Sequence, residues 1–92
     1  MTRQISVHSR LAAADESGVY YMSADDRIDK YDVKNDRVEC SRKVLDSGDS
    51  VTSLVLKNKF LYLLYQTVIG ETNISIWNSD LNKLTSVSRI GL

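Results

Sequence analysis

The chain contains no proline, one cysteine, one histidine, one tryptophan and four glycines. Without proline, nothing in it forbids a backbone donor from joining a β-ladder. A lone Cys40 excludes an intrachain disulfide, and Cys40 with His8 is too small a set for a structural zinc site. Charge of one sign is also missing: twelve Lys and Arg balance twelve Asp and Glu. That balance removes the electrostatic case for nucleic acid or an anionic membrane as partner. It also removes a defence against self-association. The longest apolar run, Phe60 to Tyr65, is far too short to span a bilayer. The first residues, MTRQISVHSR, have no apolar core of signal-peptide type. The expected setting is therefore intracellular, cytoplasmic or nuclear. The Asn73-Ile74-Ser75 sequon is read as a chance triplet.

What is present is a succession of short runs rich in Val, Ile, Tyr, Thr and Leu, separated by clusters of Asp, Asn, Gly and Ser. This pattern predicts strands and tight turns and leaves no long helical period. Strands are expected over 5–14, 19–23, 27–33, 37–45, 51–56, 60–66, 73–78 and 83–90. Connections this short favour antiparallel meanders. Ninety-two residues allow a single domain, spanning 1–92.

The runs also repeat. Residues 51–64 align without gaps on 10–23, an offset of 41, and residues 73–90 align on 27–44, an offset of 46. In this alignment Tyr20 meets Leu61, Ile28 meets Ile74, Tyr31 meets Trp77, and Val38 meets Leu84. A repeat of about 40–45 residues built from four strands is the signature of propeller blades. The expected fold is all-β, with two four-stranded antiparallel propeller-type blades, about 5–45 and 46–92. The unbroken run Phe60-Leu61-Tyr62-Leu63-Leu64-Tyr65 predicts a strand covered on both faces, as in a blade between neighbours.

Residues 23–32 (SADDRIDKYD) and 74–78 (ISIWN) resemble the second-to-third-strand region of WD-repeat β-propellers, which ends in Trp-Asp. The turn Asp15 to Gly18 looks like that family's Asp-Gly turn. Leu45 to Val51 lies where the family has Gly-His. The chain departs from the pattern as well. Asp49 follows Gly48, and Tyr31 and Asn78 replace the Trp and the Asp. The family's Trp/Asp/Ser/His hydrogen-bond network is thus incomplete in both repeats.

No motif for chemistry stands out. Asp25, Asp26, Asp29 and Asp32 lack the ligand spacing and central glycine of a calcium loop. Arg27 and Lys30 interrupt them, so a turn and a polar strand face account for the set. His8, Cys40 and Asp15 have no nucleophile-elbow framing. No Gly-rich phosphate loop is present, and the tyrosines and Trp77 suit blade packing better than base stacking. The chain is therefore expected not to be an enzyme, with no cofactor, no metal, no nucleic acid and no membrane.

The resemblance implies a protein-interaction scaffold that uses loops on one rim. These are 46–50, 24–27 and 67–72, with Asp25, Arg27, Ser47, Asp49 and Glu71 as candidate contacts. Two blades cannot close a ring, so the expectation is completion of a larger propeller or homo-oligomeric assembly with a protein partner. The alternative is a small-ligand or glycan-binding module built as a compact eight-stranded barrel or sandwich.

Overall fold

A computed structural model describes residues 11–88. Among these residues it is all-β, with two four-stranded antiparallel sheets and no helix. The first sheet comprises β1 (Ala12–Asp15), β2 (Gly18–Ala24), β3 (Arg27–Asp32) and β4 (Arg37–Lys43). The second comprises β5 (Ser50–Lys57), β6 (Phe60–Gln66), β7 (Thr72–Trp77) and β8 (Lys83–Val87). Each sheet runs in sequence order, so each is a simple meander. The first strand is shorter than expected, and the part of the expected strand over 5–10 lies outside the described residues. No helix among the described residues is long and apolar enough to cross a membrane.

Turn chemistry sets the strand ends. Gly18 closes the β1–β2 hairpin at φ +151°, and a Cβ there would lie 2.8 Å from the Tyr31 carbonyl oxygen. Only glycine fits that backbone and that space. In the β5–β6 hairpin, Asn58 and Lys59 both take positive φ. Two such residues make a hairpin turn whose twist matches that of the strands. Asp32 organises the β3–β4 turn, accepting from the Lys34 and Asn35 amides and the Asn35 side chain.

Cross-strand register sorts the side chains, since directly opposed residues share a face. In the first sheet Tyr20, Lys30 and Cys40 lie on one face with Met22, Ile28 and Arg42. In the second, Leu54, Leu56, Leu61, Leu63, Ser75 and Trp77 share a face. These two faces meet. Tyr20, Met22 and Ile28 form one buried cluster with Leu45, Leu54, Leu61, Leu63, Trp77 and Leu81. Each fully buried Leu or Ile contributes about 1.5–3 kcal/mol, so an Asp at Leu61 or Leu63 would part the sheets.

Polar bonds fix the angle between them. The Tyr20 hydroxyl donates to the Ser79 carbonyl at 3.0 Å, and Arg42 Nε donates to the Leu81 carbonyl at 3.0 Å. Both acceptors belong to the β7–β8 turn. Among strands of different sheets, β1 and β5 run closest.

The register also corrects the alignment of the repeats. The closing pairs Asp15–Gly18 and Lys57–Phe60 place the hairpins 42 residues apart, not 41. Tyr20 therefore corresponds to Tyr62 rather than Leu61, and Met22 to Leu64. A bulge interrupts the third-to-fourth-strand pairing at Lys30/Tyr31 and again at Ile76/Trp77, 46 residues on. Ile28 thus corresponds to Ile74 and Tyr31 to Trp77, as in the alignment. The last strands differ by 45: Val38, opposite Tyr31, corresponds to Lys83, opposite Trp77, and not to Leu84.

The two faces of β6 differ. Its Leu61 and Leu63 are buried, but Phe60, Tyr62 and Leu64 point away from the first sheet. Phe60 is exposed, and Tyr62 and Leu64 are half-buried. The run is apolar on both faces, yet the described residues cover only one.

Candidate functional site

Three connections gather at one end of the sheets. The β2–β3 turn carries Asp25 and Asp26. The Asp26 carbonyl accepts from the Val44 and Leu45 amides at 2.8 and 3.3 Å, which ties this turn to the segment between the sheets. That segment is itself a turn: the Asp49 amide donates to the Asp46 carbonyl at 3.1 Å. The Asp46 amide in return donates to the Asp49 carboxylate at 3.3 Å.

The β6–β7 loop closes through the Thr67 amide on the Glu71 carbonyl at 2.8 Å and the Glu71 amide on Thr67 Oγ1 at 3.1 Å. Gly48 takes φ +90°, and a Cβ built on it would lie 3.2 Å from Val68 Cβ. The inter-sheet segment and the β6–β7 loop therefore touch.

Between the first two of these connections lies an open cleft of about 440 Å³, lined by Met22, Ala24, Asp25, Gly48, Asp49, Ser50 and Val51. A contiguous recess of about 450 Å³ adds Asp26, Lys43, Asp46 and Ser47. Asp25, Ser47 and Asp49 thus come together. Arg27 and Glu71 line neither hollow. Arg27 is turned along the far face of the first sheet, where its Nε donates to Ser41 Oγ at 3.1 Å. Sequence reasoning missed Asp26, Asp46 and Gly48, whose signal was their place in the same short connections, and Lys43, the last residue of β4. Four carboxylates and one ammonium give this lip a negative potential, and no group of three or more potential metal ligands forms among the described residues.

The acidic run of the sequence disperses into separate tasks. Asp29 accepts from Ser23 Oγ at 2.8 Å and from Ser41. The Asn35 side chain, with the backbone amides beside it, holds the Asp32 carboxyl below its ordinary pKa. Ser17 does the same for Asp15. Cys40 is half-buried, and burial pushes its thiol pKa up, which makes it a poorer nucleophile. His8 lies outside the described residues.

The one buried charge in β3 is Lys30, whose Nζ sits 2.9 Å from the Glu39 carboxylate and 5.6 Å from the centre of the Tyr20 ring. Burial acts to lower its pKa. Glu39 and Tyr20 outweigh burial and leave it above the ordinary lysine value.

Comparison with protein-family models, with curated proteins and with solved structures finds no significant match.

Proposed function

We propose that this chain is a protein-interaction scaffold whose two sheets act as propeller-type blades, within a larger propeller or assembling into one. The observation that carries the reading is the manner of stacking. The Tyr20/Met22/Ile28 face of the first sheet packs on the Leu61/Leu63/Trp77 face of the second. By the hairpin and bulge correspondences these are opposite faces of the repeat, so the contact is head-to-tail. Head-to-tail contacts propagate around a ring, whereas two like faces would close at once as a sandwich. The resemblance to WD-repeat blades points the same way.

Partner contact is assigned to the rim formed by the three connections, through Asp25, Ser47 and Asp49 at the cleft, with Glu71 on the β6–β7 loop and Arg27 on the adjoining outer face of the first sheet. The negative lip favours a partner segment carrying Lys or Arg, with binding that weakens as salt rises. The setting is proposed to be intracellular. Alanine at all five positions is expected to abolish capture of the partner by cross-linking in cells while leaving the fold, read by circular dichroism, intact. Full capture by a folded five-alanine variant would overturn the rim assignment.

The open cleft beside Asp25 and Asp49 favours a second reading, a small-ligand or glycan-binding module. A rise in melting temperature with a member of a metabolite or glycan panel, lost on Asp49→Ala, would select it.

A further inference from the structure

The outward face of the β5–β8 sheet carries Val55, Phe60, Tyr62, Leu64, Ile74 and Ile76, with Val87 on the edge strand. Val55, Phe60 and Val87 are 50%, 41% and 52% exposed. Lys57, at the hairpin end, is the only charge that register adds to this face among the described strands. Tyr62, Leu64, Ile74 and Ile76 between them are half-buried, and a contiguous apolar face that stays partly open to water marks an interaction surface.

The chain itself contains the template for what covers it. Tyr62, Leu64 and Ile74 are the counterparts of Tyr20, Met22 and Ile28. Both trios make the same cross-strand pairs: Met22 faces Ile28 as Leu64 faces Ile74. In the first sheet this trio is fully buried, under Leu61, Leu63 and Trp77 of the second. The tyrosine recurs too. Tyr20 uses its hydroxyl to hold a turn carbonyl of the sheet that covers it, and Tyr62 offers the same group on the open face.

We infer that the β5–β8 outward face docks a four-stranded antiparallel sheet of a partner protein. That sheet would present two aliphatic residues and an aromatic one around a small polar residue, and a turn carbonyl for Tyr62. A second copy of this chain does not offer such a face. Its Leu61, Leu63 and Trp77 are already buried, and so are Tyr21 and Tyr31 on the corresponding face of its first sheet. The inference rests on the stacking part of the proposed function, selects completion by a partner protein over assembly from copies of this chain, and is independent of the rim.

The test extends the full chain at its C-terminus with a second copy of residues 46–88, which supplies a sheet of the required kind. Tyrosine nitration, read residue by residue by mass spectrometry, reports cover. In the extended chain the nitration rate of Tyr62 is expected to fall to that of Tyr20. Changing the Leu63 counterpart in the added segment to Asp is expected to restore it, and this control shares the extension's length and solubility. Tyr62 nitrated equally fast with and without the added segment would overturn the inference. Light scattering of the unextended chain supplies the other arm. A defined oligomer that Ile74→Asp dissolves would assign the face to a second copy and overturn the partner assignment. The five-alanine rim variant leaves both readouts unchanged, so failure of the rim and failure of this face are told apart.

Discussion

Replacing Glu39 with Gln tests how Lys30, the one buried cation among the described residues, is held. The Lys30 side chain is 6% exposed and that of Glu39 is 44% exposed. Breaking a fully buried ion pair by removing one partner costs about 3–5 kcal/mol. The exposed half of Glu39 already shares its charge with water, so the expected loss is smaller, about 1–2 kcal/mol. In a domain of this size that lowers the melting temperature by about 4–16 °C.

The reverse change behaves differently. Lys30→Met keeps the volume, removes the buried charge and leaves Glu39 able to face solvent. It forfeits a cation–ring contact of about 0.5–1 kcal/mol and gains relief from desolvation of similar size. The net effect is expected within about 1 kcal/mol of zero. The repeat supports this, because the counterpart of Lys30 in the second sheet is Ile76. Urea unfolding of the two single variants and the double variant, followed by the fluorescence of Trp77, gives the comparison. The double variant should be no less stable than Lys30→Met alone. If Lys30→Met is the more damaging single change, the pair is a net source of stability and the reasoning fails.

Two further outcomes follow from the turns. Gly18→Ala meets both a positive φ and the Tyr31 carbonyl, and is expected to cost about 1–3 kcal/mol in urea unfolding; Gly70→Ala, at φ +89° with open space around it, meets a conformational penalty alone and is expected to cost less. Asp15 is held below its ordinary pKa in the folded chain, so its stabilising contribution is complete above the unfolded value of about 3.9 and disappears as pH falls through the lower folded value. Ser17→Ala should flatten that acid limb of the stability profile, and an unchanged profile would count against the assignment.

Most of the strand order was legible because Asp, Asn, Gly and Ser punctuate it so regularly. Asp15 to Gly18, Lys34 to Asp36 and Asn58-Lys59 each lie at a turn, as their side chains and backbone freedom require. The exact pairing of the repeats was not legible. From Phe60 to Tyr65 every position is apolar, so a shift of one residue leaves the pattern intact. The closing pair Lys57–Phe60 and the Tyr62–Ile76 pairing show that Tyr62, rather than Leu61, stands for Tyr20. The same uniformity hid which face of β6 is covered. At the rim, Asp25, Ser47 and Asp49 were legible from their connections. The departure of Arg27 was not, because a residue closing a two-residue turn points by strand register, and its pairing with Lys43 directs it along the far face.

The recurring bulge has a consequence for solubility of the outermost strands. An extra residue at the Lys30/Tyr31 and Ile76/Trp77 steps increases the local twist, so β4 and β8 curl away from a flat template onto which another chain could add a strand. The two edges are unequally guarded beyond that. Strand β4 carries Arg37, Glu39, Arg42 and Lys43, whereas β8 carries Lys83 alone, followed by Leu84, Thr85, Ser86 and Val87. Irregular growth by strand addition therefore has its easiest entry at β8, and the twist imposed at Trp77 is the chief barrier against it.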